Sequence, residues 1–382
     1  MFIIFIAHTP DNFLALWIPA RFGFSDATEI FVFCSGMASA LAFGAVFSSH
    51  GWLMGAGRIV FRVWQVYWAH IIVFFVIAAL VAGVDQVFGL DGRYVDGLNL
   101  QHFFDDARPN LVGLLTLTYV PNFFDILPMY LVILALVPVV MALSRLSPWL
   151  VAAFVATLWV LAAARVLDLP AEPWSDRTWF FNPFSWQLVF FTGFAFMIGW
   201  LKPPPVSRGL VWLAVAIVAV TIPFAYFRIL GAVPELAAAN HALDSTGILI
   251  NKTQFGLFRY IHFLALAYLA WLAAGEGGRR LTGGPAWTRF VAIVRNVGQQ
   301  SLAVFLSGLV LARISGMVLD AIGGGKIATA IVTLAGCGIL IVISYAVGWF
   351  KTQPWRYPPQ KGVSTEKKPE LFSGGRVPVP GE

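Results

Sequence analysis

The chain has 382 residues, of which 59% are hydrophobic, 15% aromatic and 12% charged, with a mean hydropathy of +0.79. Soluble domains carry about 25% charged residues, so this composition excludes an ordinary soluble enzyme, a disordered protein and a nucleic-acid-binding domain. The net charge of +6 gives no sign of nucleic acid, because the basic residues fall between long apolar runs and not on one amphipathic surface. An all-α polytopic membrane protein is the class that fits.

In chain order, an apolar stub over residues 1–7 is closed by His8, Pro10, Asp11 and Asn12. Seven helical residues rise about 10 Å, a third of the hydrocarbon core. The stub therefore reads as a first helix truncated at its N-terminal end. It lacks the basic start and small-residue cleavage site of a signal peptide. Full spans follow at 27–47, 63–84, 127–143, 148–167, 185–201, 209–227, 256–275, 298–319 and 329–350. With the stub they predict about ten transmembrane helices. Residues 1–350 form one transmembrane domain, and 351–382, rich in Pro, Gly and Lys, predict a cytoplasmic disordered tail. Cys34 and Cys337 lie inside apolar runs and read as packing residues. The chain shows no P-loop, no dinucleotide fingerprint and no Cys/His metal spacing, so no metal is expected.

Alternate loops carry eight Lys/Arg on the side of residues 9–26 and fifteen on the side of Arg58, Arg62, Arg145 and the tail. The positive-inside rule makes the second side cytoplasmic and places the C-terminus there. The stub then runs outward, with His8 toward the outer half of the membrane. The long loops 85–126, 168–184 and 228–255 fall outside.

Ionisable residues inside spans cost about 2.5 kcal/mol or more at the centre and are functional candidates by default. His8 reads either as an interfacial helix cap or as a general base, since neutral imidazole takes a proton near neutral pH. Ser25 is a candidate cap for the next helix, with Asp26 and Glu29 in its first turn. A cap accounts less well for Glu29, and either carboxylate is a candidate to orient His8 as in hydrolase triads. Arg58 and Arg62, four apart, share a helix face. They either snorkel to headgroups or clamp the phosphates of a donor. His70 lies deeper on that span and needs a hydrogen-bond partner or a cavity. Asn182, Trp186 and Gln187 read as an aromatic belt with a Pro-set helix start, or as a sugar-binding set. Arg259 and His262 share a face inside an apolar run, with Lys252 just before it.

Taken together these stretches resemble the OpgC family, membrane succinyltransferases that modify osmoregulated periplasmic glucans, within the wider group of integral-membrane acyltransferases. The matching stretches are His8–Asn12, Ser25–Gly36, Tyr67–His70, Asp125–Tyr130, Phe181–Gln187, Asn251–Thr253, Arg259 with His262–Ala265, and Gly298–Phe305. Ala7 stands where the family often has an acidic residue, and Asn251 where it more often has Asp. The resemblance implies ten spans, a bacterial inner membrane, and acyl-CoA (succinyl-CoA) as co-substrate with no permanently bound cofactor. It makes His8 the catalytic residue. On that basis Arg58 and Arg62 hold the CoA phosphates, and Lys252 or Arg259 meets the succinyl carboxylate. Asn182, Trp186 and Gln187 face the sugar of a periplasmic oligo- or polysaccharide, and His70 and His262 are further substrate-binding candidates, either of them an alternative base to His8. Membrane lipids are the other expected partner. The runner-up class is a transporter or flippase for a carbohydrate or other polar solute, which explains buried charges equally well but lacks the repeats of many transporters. A non-catalytic membrane scaffold is a third class, in which these residues would share no cavity.

Overall fold

The computed structural model describes residues 1–356. Most of the expected tail, from residue 357 on, lies outside the described residues. Among these residues the protein is helical and has no strand. In chain order the main helices are α1 (Phe2–His8), α2 (Ala27–Ser49), α3 (Gly51–Phe88), α4 (Ile126–Ser144), α5 (Pro148–Ala163), α6 (Pro183–Ile198), α7 (Arg208–Thr221), α8 (Leu257–Ala274), α9 (Pro285–Gln299), α10 (Ser301–Ala321) and α11 (Lys326–Thr352). Six of these, α2, α3, α4, α8, α10 and α11, are long and apolar enough to cross a membrane. Helices α5, α6 and α7 are apolar but shorter. Length and composition therefore do not establish the expected ten.

Two of the longer helices differ from expectation. Helix α3 runs for 38 residues, or about 57 Å at 1.5 Å per residue, so Arg58 and Arg62 lie within it and not ahead of it. Basic residues stop a span by hydropathy but do not stop a helix. Residues 285–299, read as loop, form α9. Trp287, Phe290 and Val294 recur at helical spacing, with Arg289 between the first two and Arg295 after the last. This is the pattern of an interfacial amphipathic helix.

Backbones meet most closely between α2 and α6. A Cβ on Gly36 would collide with the Phe190 carbonyl, and one on Gly193 with the Phe33 carbonyl. Small residues let apolar helices approach where no hydrophobic drive separates helix from lipid. The seven residues of α1 are too few to hold a helix on their own and are fixed by their neighbours. Phe5 seats on Gly336 of α11 and Pro10 on Gly316 of α10. Asn12 donates from Nδ2 to Thr333 Oγ1 at 3.1 Å.

Substituting Gly193→Val should overpack the α2–α6 contact and cost about 1–3 kcal/mol, read as a lower thermal midpoint of the detergent-solubilised protein. Gly338→Ala, where an added methyl meets open space, should not lower that midpoint, because Ala favours the helix over Gly.

Candidate functional site

The site begins at the first turn of α2. Asp26 is the N-cap, accepting from the Thr28 N–H at 2.7 Å, and Glu29 reaches back to accept from the Asp26 N–H at 2.7 Å. This is a capping box, which satisfies orphan amides at a helix start. The cap is thus Asp26 and not Ser25. Ser25 points instead at His262 of α8. Its N–H and its hydroxyl donate to His262 Nδ1 at 3.2 and 2.7 Å. The imidazole proton then belongs on Nε2, which is buried beside Gly23 without a partner among the described residues.

Both carboxylates carry a second duty. Glu29, fully buried, accepts from Arg259 Nε at 2.9 Å and Nη2 at 2.6 Å. Asp26 accepts from Lys252 Nζ at 2.5 Å and faces Arg259 Nη2 at 3.6 Å. Two acids and two bases from segments more than 200 residues apart thus form one neutral network. A charge buried alone is costly, whereas a paired and hydrogen-bonded set can be tolerated.

Lys252 reaches the network because its turn is held from below by α6. Trp186 Nε1 donates to the Lys252 carbonyl at 2.9 Å, and the Ser185 hydroxyl and Asn182 N–H both donate to the Thr253 carbonyl. Asn182 caps α6 through Oδ1 and donates from Nδ2 to the Leu167 carbonyl and Asp168. Gln187 donates to the carbonyls of Val155 and Phe184. Asn182, Trp186 and Gln187 are all buried, and Trp186 is packed between Phe181 and Phe255. Read as an aromatic belt or a sugar-binding set, the three are divided here: Asn182 and Trp186 bracket the Lys252 turn, and Gln187 ties α6 to α5 at Val155.

His8 closes α1. Its Nδ1 donates to the Ile4 carbonyl at 2.7 Å, which leaves the Nε2 lone pair available. The orienting partner is therefore a backbone carbonyl; Glu29 and Asp26, expected in that role, are bonded to Arg259 and Lys252. Beside His8 lies a cavity of about 180 Å³ that Thr28, Asp125, Lys252 and the rings of Phe123, Phe180, Phe181 and Phe305 also line. Phe123 meets the imidazole edge-on at 5.2 Å between centroids, and the Arg313 guanidinium lies 4.2 Å from the Phe123 ring centre. Arg313 also donates to the His8 carbonyl at 3.0 Å, a cation at a helix C-terminus.

A second cavity, of about 500 Å³, is lined by Arg58, Arg62, Ser39, Gln65 and Tyr130. His70 is fully buried, neither ring nitrogen has a partner among the described residues, and it lines neither of these cavities. The structure thus brings His8 and Lys252 together, groups Asp26, Glu29 and Arg259 beside them, sets Arg58 and Arg62 on a separate cavity, and leaves His70 apart. Reading the sequence did not single out Asp125, Phe123 or Arg313 as site residues. Arg313 carries the same signal as Arg259, an ionisable residue in an apolar run.

The strap that carries Phe123 and Asp125 is braced from the 168–179 loop. Arg177 pairs with Glu172 at 2.8 Å and donates to the Val120 carbonyl and Asn122 Oδ1. Burial pushes the Glu172 carboxyl up, but hydrogen bonds from Arg177 and Ser175 outweigh it and hold the group below its usual 4.5.

An apolar helical bundle with an internal charge network around a histidine defines an integral membrane protein with a buried polar site. The chain matches the family described as OpgC protein over residues 1–352 and belongs to that family. Membership makes it a transferase in the broad sense, of the glucan-modifying acyltransferase kind. No curated protein and no solved structure matches it.

Arg259→Met should strand Glu29 as an unpaired buried charge and cost about 3–5 kcal/mol; adding Glu29→Gln should recover much of that loss, read from unfolding midpoints of the single and double variants. Because the folded pKa of Glu172 is depressed, its contribution to stability is present above pH 4.5 and is lost as pH falls through the folded value. The gap in thermal midpoint between wild type and Glu172→Gln should therefore be open at pH 7 and close on acidification.

Proposed function

We propose that the protein moves a succinyl group from cytoplasmic acyl-CoA to hydroxyls of a periplasmic glucan, with His8 as general base. The observation that carries this reading is the shared cavity of His8 and Lys252. His8 Nε2 takes the proton of the sugar hydroxyl as its oxygen attacks the thioester carbonyl. The carbon–sulfur bond then breaks, and the departing CoA sulfur receives the proton from His8.

A succinyl carboxylate inside a membrane needs a cation. Lys252 suits that role better than Arg259, because it lines the cavity, which Arg259 does not, and its ammonium keeps further N–H donors beside the bond to Asp26. Arg58 and Arg62 are suited to the CoA phosphates, since guanidinium binds phosphate in bidentate fashion. A route between the two cavities is supported by α4. Tyr130 lines the Arg58 cavity and Ile126 the His8 cavity, one helical turn or about 6 Å apart along the axis. Under this reading the basic loops and the C-terminus face the cytoplasm of a bacterial inner membrane.

In cells lacking the gene, complementation with the wild-type gene should restore a succinyl-sized mass increment on periplasmic glucans, and His8→Ala at equal membrane level should not. Glucans of unchanged mass in every strain would sink the glucan assignment, and an increment that survives His8→Ala would remove His8 from the chemistry.

A further inference from the structure

Asp125 is the one carboxylate among the residues lining the His8 cavity. It is 5% exposed and forms no ion pair among the described residues, and its carboxylate accepts from backbone N–H groups alone, a long bond from Phe180 at 3.4 Å and others from Phe123 and its own amide. Every other carboxylate in the core of the site is spent, Asp26 on Lys252 and Glu29 on Arg259. An ionised carboxylate offers about four acceptor positions, and among the described residues no side chain donates to those of Asp125. Keeping such a group in an aromatic cavity is costly without a function.

The backbone around it is held with some effort. Phe123 has φ +83, a left-handed conformation that bulky residues seldom adopt and that persists only where surroundings enforce it. Arg313 and His8 pin its ring, and Arg177 braces Val120 and Asn122 just before it. The strap is therefore fixed so that Phe123 and Asp125 both meet the His8 cavity.

Resting on the acyl-transfer reading, we infer that Asp125 with Phe123 and Phe180 forms the acceptor subsite, where the carboxylate accepts hydrogen bonds from hydroxyls of a neutral sugar residue beside the aromatic rings. The charge decides which substrate goes where. An acyl carboxylate or a CoA phosphate would be repelled by Asp125, and the apolar pantetheine arm has little to offer it. A sugar supplies several hydroxyl donors and apolar C–H faces, and it carries no charge. Lys252 and Asp125 thus divide the cavity, the cation for the acyl anion and the carboxylate for the hydroxyl-rich acceptor.

The test is steady-state kinetics of the full chain in detergent, with succinyl-CoA as donor and a linear glucose oligosaccharide as acceptor, read as glucan-dependent CoA release. Asp125→Asn should raise the acceptor KM about ten- to a hundredfold, the worth of one or two hydrogen bonds to a charged acceptor. The succinyl-CoA KM and the kcat at saturating acceptor should stay near wild type. Phe180→Leu, at a partly exposed position, should raise the acceptor KM in the same direction and keeps the test open if Asp125→Asn does not fold. An unchanged acceptor KM with a collapsed kcat would show Asp125 acting on His8 and overturn the subsite, as would a raised succinyl-CoA KM. Wild-type protein that releases no CoA with any glucan overturns the transfer reading itself and the subsite with it.

Discussion

Asp26 and Glu29 sit within one turn of each other, and neither can carry its charge into an apolar bundle alone. Each is stabilised by the capping box, which gives the carboxylates backbone amides, and by Lys252 and Arg259, which give them counter-charges. The requirement reaches far beyond the four residues. Arg259 fixes how α8 lies against α2. Lys252 fixes the 251–256 turn, and that turn fixes why α6 must begin with a bracket of buried donors. The close α2–α6 approach at Gly36 and Gly193 brings the bracket near enough to act. Remove the neutral network and the packing has no reason to converge at this end of the bundle.

The polar groups that face space gather in two places, and Lys252 of the network is among them. His8, Lys252 and Asp125 share one cavity, and Arg58 and Arg62 share another farther along the α2–α4 seam. This division separates structural polarity from chemical polarity. Asn182, Trp186, Gln187 and Arg259 have their main donors bonded within the protein. Arg313 falls between the two classes. It caps α1 at the His8 carbonyl and supports Phe123, so it acts on the site through the positions of two other residues.

The sequence was informative where a residue type alone carries the cost. His8, Glu29 and Arg259 stand out because each is ionisable within an apolar run, and that holds whatever their neighbours are. It was uninformative about partners. Glu29 and Arg259 are 230 positions apart, and nothing in either local pattern favours their pairing over Glu29 with His8. Asn182, Trp186 and Gln187 show the same limit, since an aromatic cluster at a helix start suits a lipid belt, a sugar face or an internal bracket equally, and only tertiary packing chooses. Helix existence was legible from apolar runs, but extent was not. Hydropathy ends α3 at its arginines although the backbone does not. Asp125 sits beside an unremarkable Pro–Asn–Phe–Phe stretch, and its importance comes from the strained Phe123 that no composition signals.

The orientation of His8 by a carbonyl has a chemical consequence for the proposed reaction. In a hydrolase triad a carboxylate bonded to the imidazole stabilises the imidazolium that forms during proton transfer. Here the Ile4 carbonyl fixes the tautomer but brings no full negative charge. The imidazolium formed in the transfer has no carboxylate bonded to it, so its proton must pass on as the carbon–sulfur bond breaks. Asp125, across the cavity, meets the acceptor and not the imidazole. Acceptor binding and proton transfer are thus assigned to different groups, the carboxylate placing the sugar and His8 handling its proton.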